Sequence, residues 1–91
     1  MEHLRCIKVK FLGPTNTRGS RVKITEDRLD GRNSITLSYD YEIGNCLIQA
    51  QRYLESKGIN CIGYTELNDD TTLFLSDSWM RGDDTYFKSI I

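Results

Sequence analysis

Apolar and polar positions alternate in three segments within the first 40 residues. In residues 5–11, 20–25 and 34–39 apolar side chains recur at every second position, a period typical of a β-strand with one buried face. Turn-forming residues occupy 13–19, and Asp30-Gly31-Arg32-Asn33 forms a second turn signal. The pattern therefore predicts three strands, of which the first two form a hairpin.

After residue 40 the apolar period changes from two to about 3.6. One helical stripe contains Ile43, Leu47, Ala50 and Leu54. Asn45 can cap the start of a helix that begins late. Lys57 followed by Gly58 is typical of a helix end, with a cation in the last turn and glycine in the left-handed position. These signals predict one short amphipathic helix.

The rest of the chain again has the composition of strands. Residues 60–67 and 71–76 flank a turn at Asn68-Asp69-Asp70, and residues 85–91 are also strand-like. Short turns between consecutive strands favour antiparallel pairing. We therefore expect one domain over residues 1–91, of the α+β class, with the order β-β-β-α-β-β(-β). In this fold a mainly antiparallel sheet has one helix packed on one face.

Several functional classes find little support in the composition. The chain has no apolar run near the roughly 20 residues of a membrane span, and its N-terminus lacks the apolar segment of a signal peptide. Three cysteines without close pairs indicate free thiols in a reducing cytoplasm. The only histidine, His3, lies at the terminus, so catalytic triads and metal clusters are not apparent. We expect a cytoplasmic, non-enzymatic protein without metal or cofactor.

Charge is unevenly distributed along a chain whose net charge is −1. Residues 1–25 contain six basic residues and one acidic residue, a net charge of +5. Residues 59–91 contain two basic and six acidic residues, a net charge of −4. Such asymmetry indicates either a charged partner at one end or mutual neutralisation of the two ends across the sheet.

Four cations of the first two strands occupy the outward positions of the alternation, and they are Lys8, Lys10, Arg21 and Lys23. If these strands are neighbours, the cations gather on the sheet face that the helix leaves bare. That face would bind phosphates or an acidic protein. The alternative is a solvated surface partly neutralised by acidic residues of later strands. No aromatic residue occupies the outward positions of the first three strands, which disfavours base stacking there. The alternative source of such rings is the later strands, with Tyr64, Phe74 and Tyr86.

The loop between the first two strands is rich in glycine and polar side chains. Thr15, Asn16 and Arg18 lie between Gly13 and Gly19, and backbone N–H groups with an arginine can form an anion-binding concavity. The GxxxxGK[ST] spacing of a P-loop is absent. The alternative is a long hairpin loop closed by its own hydrogen bonds.

The string KVKFLGPTNTRGSRVK, residues 8–23, resembles the N-terminal signature of small uncharacterised proteins encoded by bacteriophages, prophages and plasmids of proteobacteria. Those proteins are of similar size and also carry a Tyr-Asp pair before a helix, as Tyr39-Asp40 stands here. The segment after Ser76 departs from them. The resemblance implies a mobile-element origin and the cytoplasm of a bacterial host. It implies no activity, cofactor or catalytic residue.

Acidic residues cluster in the C-terminal third, and they are Asp69, Asp70, Asp77, Asp83 and Asp84. Spaced carboxylates on a small domain can imitate the phosphates of DNA. The alternative is that these residues form turns, which aspartate favours.

Two hypotheses about function follow, with a third about assembly. The first is a non-enzymatic interaction protein of a phage or plasmid that inhibits a host defence complex in the manner of anti-CRISPR proteins. Its partner would be a host protein or a protein–nucleic acid complex. The alternative is a small nucleic-acid-binding protein that uses the basic face and the loop. A homodimer formed through the edge of the last strand is also open.

Overall fold

The computed structural model describes residues 4–28, 31–77 and 90, and its sheet is wholly antiparallel. The elements are β1 (Arg5–Leu12), β2 (Arg21–Arg28), β3 (Gly31–Ser38), α1 (Cys46–Ser56), β4 (Cys61–Asn68) and β5 (Thr71–Ser76). The spatial order of the strands is β3-β2-β1-β5-β4. The expected α+β class and the order β-β-β-α-β-β are confirmed. The further strand expected over residues 85–91 lies outside the described residues, apart from the buried Ile90.

The core lies between one face of the sheet and α1. Alternate residues of β1 and β2 point into it, with Val9 directly opposite Ile24. From α1, Ala50 and Leu54 pack against this layer. The remaining buried apolar residues are Ile7, Val22, Ile59, Phe74 and Ile90. The inward positions that the alternation predicts for the first two strands are therefore the positions that α1 covers.

The predicted cap at Asn45 and the left-handed Gly58 are confirmed, whereas Lys57 is the C-cap of α1 and not a cation within its last turn. The Asn45 side chain caps α1 by accepting hydrogen bonds from the backbone N–H groups of Leu47 (2.8 Å) and Ile48 (3.2 Å). Gly58, at a φ of 80°, follows the C-terminal end of α1. Ile43 is the one member of the predicted stripe outside the helix. It lies in the preceding turn, where the Asp40 carboxylate accepts a hydrogen bond from its N–H (3.4 Å).

The turn predicted at Asp30-Gly31-Arg32-Asn33 is wrong over residues 31–33. Residues 31–33 already belong to β3, and the ladder with β2 continues to the pair Arg28 and Gly31. An ion pair between Arg32 Nε and Asp27 Oδ1 (2.5 Å) joins the two strands near this end. The polar residues that resemble a turn in the sequence therefore extend the hairpin.

The helix of the described part, α1, has 11 residues, and no helix there has the length and hydropathy needed to cross a membrane.

Candidate functional site

Strand register places the four predicted cations on one surface. Lys10 lies directly opposite Lys23 across the β1–β2 ladder, and Arg21 lies opposite Leu12 on the same side. Directly opposite residues share a face of the sheet, and Lys8 shares it because it is two residues from Lys10. This is the face opposite α1. We call these four residues, Lys8, Lys10, Arg21 and Lys23, the basic face.

The cations of the basic face have no carboxylate partner in residues 4–28 and 31–77. Lys8, Lys10 and Lys23 are exposed to solvent. The carboxylate of Asp27 points to the same surface, but Arg32 binds it. The positive charge of the three lysines is therefore not offset by an ion pair within the described part of the chain.

The three lysines line one shallow depression of about 270 Å³. Thr25 of β2 and Thr71 of β5 contribute hydroxyl groups to its lining, and Leu67 of the irregular strand β4 contributes an apolar wall. The Thr71 hydroxyl donates to the Asp70 carboxylate (2.9 Å), so the donors open to a ligand are chiefly the ammonium groups, which suit the oxygens of a phosphate or carboxylate. The depression is therefore the place on the basic face where an anion would have the most donors.

A row of hydroxyl groups on β3 extends this surface. Ser34, Thr36 and Ser38 are exposed and lie opposite Thr25, Lys23 and Arg21 respectively. The hydroxyls of Thr25 and Ser34 are 3.3 Å apart and share a hydrogen bond. Donors thus continue from the depression to the outer edge of the sheet.

Arg21 belongs to the basic face but not to the depression. It lies one row beyond Lys23 toward the β1–β2 loop and is only partly exposed. Its buried Nε has no hydrogen-bond partner among the described residues. Burying a donor without a partner costs free energy, so a ligand that supplied an acceptor there would relieve the cost.

The loop over residues 13–20 is closed by its own hydrogen bonds. The Thr15 hydroxyl accepts the Arg18 N–H (3.0 Å) and the Thr17 N–H (3.4 Å), and the Thr15 N–H donates to the Arg18 carbonyl (2.7 Å). Thr15, expected as a ligand contact, therefore has a structural role. Asn16 and Arg18 are exposed in this loop.

The described acidic residues of the C-terminal third lie in the turn before β5 and directly after β5, not on β1 or β2. Asp69 and Asp70 form the exposed turn between β4 and β5, and Asp77 is exposed after β5. Asp70 has local contacts, because its carbonyl accepts the Phe11 N–H (2.9 Å) and its carboxylate accepts the Thr71 hydroxyl (2.9 Å). Asp83 and Asp84 lie outside the described residues. The turn interpretation therefore accounts for Asp69 and Asp70.

Two polar contacts with structural roles were not recognised in the sequence. Arg5 and Glu26 form a buried ion pair on the α1 side of the sheet. Gln49 of α1 joins the helix to the end of β3, because it accepts the Asp40 N–H (3.0 Å) and donates to the Ser38 carbonyl (2.8 Å). The signal for Arg5 and Glu26 was present, since both occupy inward positions of the alternation.

The three cysteines are free thiols. Burial is the main reason that the pKa of the Cys6 and Cys61 thiols is raised. In the described ranges no three His, Cys, Asp or Glu side chains group in a way that would hold a metal ion.

Comparisons with protein families, with curated proteins and with solved structures give no match to this chain. Its function is therefore argued from the geometry of the basic face.

Proposed function

We propose that the protein is a non-enzymatic interaction protein of a bacterial mobile element that inhibits a host defence complex by docking through its basic face. The observation that carries the proposal is the set of exposed lysines, Lys8, Lys10 and Lys23, that line one depression without a carboxylate partner in the described residues. Charge complementarity would direct such a face to an anionic partner surface. The partner would be a host protein or a protein–nucleic acid complex.

The basic face is a better candidate for docking than the acidic turn. The Asp70 carboxylate accepts a hydrogen bond from its neighbour Thr71, and aspartate is common in β-turns for structural reasons alone. The lysines of the basic face have no comparable structural contact within residues 4–28 and 31–77. A surface that the fold does not itself require is more readily explained by a partner.

The biological setting rests on the sequence. The resemblance of residues 8–23 to small phage and plasmid proteins supports a mobile-element origin, and the link to host defence rests on that association. The resemblance also covers Lys8, Lys10, Arg21 and Lys23, because all four fall within that string. A protein that inhibits by covering a surface of its partner needs no catalytic group. The sequence agrees with such a role, because it contains a single histidine.

Plaque formation by a phage on a host with active CRISPR immunity tests the proposal. Expression of the protein should restore plaque formation. The double variant K10E/K23E should lose this effect, because it replaces two cations of the basic face by anions. The matched control R52E/K57E reverses two exposed cations on and just after α1, so its net charge changes equally.

The control should retain the effect, and both double variants should keep the circular dichroism spectrum of the wild type. Equal plaque formation by the wild type and K10E/K23E would contradict docking through the basic face. Absence of any effect on plaque formation across hosts with different defence systems would contradict the inhibitor function.

A further inference from the structure

Lys10 and Lys23 are placed in mutual repulsion by the fold. They lie directly opposite each other on β1 and β2, where Cβ atoms are about 4.5–5.5 Å apart and like charges destabilise the pair. Lys8 lines the same depression, and none of the three has a salt bridge in the described residues. A bound anion would relieve this repulsion, so the arrangement favours a ligand with closely spaced negative charges.

The donors around the lysines match the oxygens of phosphates. Thr25 borders the depression, and β3 adds exposed hydroxyls at Ser34, Thr36 and Ser38. The hydroxyl of Thr71, which also lines the depression, donates to the Asp70 carboxylate instead. Lysine and hydroxyl side chains are common contacts of nucleic-acid phosphates. Asp27, the acidic residue at the depression, is engaged by Arg32 (2.5 Å) and does not leave a free negative charge there.

The extent of the surface favours a polymer over a small anion. Donors continue beyond the depression along β3 and to Arg21 at the start of β2, directly after the loop that carries the exposed Arg18. An isolated phosphate would occupy only the depression, whereas a phosphate backbone would reach the outlying donors as well. The spread of cations over two strands and a loop therefore fits a series of phosphates.

The aromatic residues of the strands favour a duplex over a single strand. Phe74 is buried under α1, and Tyr64 lies against it with ring centroids 6.5 Å apart. Phe11 packs on Tyr39 (5.6 Å) on the same covered side. The described strands thus present no aromatic ring on the basic face, and single-strand binders of the sheet type generally stack bases on such rings.

We infer that the basic face binds the phosphate backbone of a nucleic-acid duplex, with the depression lined by Lys8, Lys10 and Lys23 as its principal phosphate site. The inference rests on the proposed function. In it, the anionic surface that the basic face contacts is the duplex of a protein–nucleic acid complex. Recognition would be independent of base sequence, since phosphate contacts carry no direct sequence information.

Fluorescence anisotropy with a labelled 20-base-pair DNA duplex over a range of salt concentrations tests the inference. One neutralised phosphate for each of the four cations of the basic face would give a slope of about −3.6 for log affinity against log salt. Lys10→Thr and Lys23→Thr should each weaken binding at least about tenfold at low salt, the effect of one charged hydrogen bond. Each should also reduce the slope by roughly one.

The controls separate this inference from the proposed function. Arg52→Gln removes one exposed cation from α1 and should change neither affinity nor slope. Lys23→Gln, which keeps a long side chain, should behave as Lys23→Thr does. Poly-glutamate and a single strand of the same length should bind at least about tenfold more weakly than the duplex, because they lack its paired phosphate rows.

Equal binding of poly-glutamate would overturn the phosphate inference and leave the docking proposal in place, with a carboxylate surface as the partner. A lysine-dependent response to tripolyphosphate without duplex binding would show a small anion site and would also overturn it. An unchanged slope in Lys10→Thr and Lys23→Thr, or tighter single-strand binding, would contradict the duplex. Plaque formation reports separately on the proposed inhibition.

Discussion

Arg5 and Glu26 form an ion pair on the covered side of the sheet, where Arg5 is 1% and Glu26 2% exposed. Arg5 Nη2 donates to Glu26 Oε1 over 2.8 Å, and Arg5 Nε donates to the second carboxylate oxygen. This two-point geometry is the strongest form of arginine–carboxylate contact. It joins the central strand β1 to β2 in a region from which α1 and the apolar core exclude water.

Removing the charge of Glu26 should therefore be costly. Glu26→Gln removes the negative charge that binds the Arg5 guanidinium at two points, and removal of one partner of a buried ion pair typically costs about 3–5 kcal/mol. We expect the free energy of unfolding, measured by urea denaturation, to fall by an amount in that range. The exposed pair of Asp27 and Arg32 supplies the control, because Asp27→Asn should cost about 1 kcal/mol or less. Similar losses in both variants would contradict a special role for the buried pair.

The pair also shows how far the sequence could be interpreted. The alternation correctly assigned Ile7, Val9, Val22 and Ile24 to the covered face, and the same period continues through Arg5 and Glu26. Charged residues at the ends of an alternating segment usually indicate that the strand is ending, so β2 was predicted too short. Their mutual contact becomes apparent only when the register of β1 and β2 is known.

The candidate site was predictable to a similar extent. Period two is enough to place Lys8, Lys10 and Lys23 on one side, because each strand carries its own alternation. The depression also requires β5, which pairs with β1 although 58 residues separate Leu12 from Thr71. Long-range pairing of this kind leaves no local signal, so the contribution of Thr71 and Leu67 could not be predicted.

Relief of the Lys10–Lys23 repulsion should raise stability in the absence of a ligand. Lys23→Thr removes one of two like charges that lie directly opposite each other and introduces a residue that strands favour. We expect a gain of about 0.2–1 kcal/mol in the free energy of unfolding at low salt. High salt should reduce the gain because it screens exposed charges. A loss of stability at low salt would show that Lys23 has a favourable contact.

The N-terminal cap of α1 can be tested at one position. Asn45→Ala removes the acceptor for the N–H groups of Leu47 and Ile48, and the loss of such a cap costs about 1 kcal/mol. Asn45→Asp should retain most of the stability, because a carboxylate accepts the same bonds and interacts favourably with the helix dipole. Urea denaturation of both variants provides the measurement. An Asn45→Ala variant as stable as the wild type would contradict the capping role.

Glycines of the β1–β2 loop are not required by the fold. Gly13 and Gly19 have no left-handed φ, and a Cβ added at either position meets no atom within 4 Å. Alanine at these positions should leave stability unchanged or raise it by up to about 1 kcal/mol, since it restricts the unfolded chain. Gly58→Ala is the contrasting variant, because a φ of 80° should make it destabilising by about 1 kcal/mol. Thermal unfolding should therefore rank Gly58→Ala below both loop variants.

The Cys61 thiol provides a pH-dependent test of burial. Its pKa is raised above the ordinary value of 9.0, first by burial and then by the negative charge of Glu55, while Arg5 opposes the shift. Because the thiolate is the reactive form, Cys61 in a C6S/C46S background should react with a disulfide reagent more slowly when folded than in urea. The midpoint of its rate–pH profile should lie above 9.0. Glu55→Gln should lower that midpoint.

The same shift fixes the direction of a stability change. A thiol with a raised pKa in the folded state holds its proton more tightly there than in the unfolded state. Its contribution to the free energy of unfolding is therefore complete at pH values below the unfolded-state pKa. That contribution is lost as the pH rises through the folded-state pKa. Comparison of the C6S/C46S variant with a variant that also carries Cys61→Ala isolates this contribution from that of lysines and tyrosines. Above pH 9.0 the variant that retains Cys61 should lose free energy of unfolding relative to the variant that carries Cys61→Ala. A difference that is constant across this pH range would contradict the burial of Cys61.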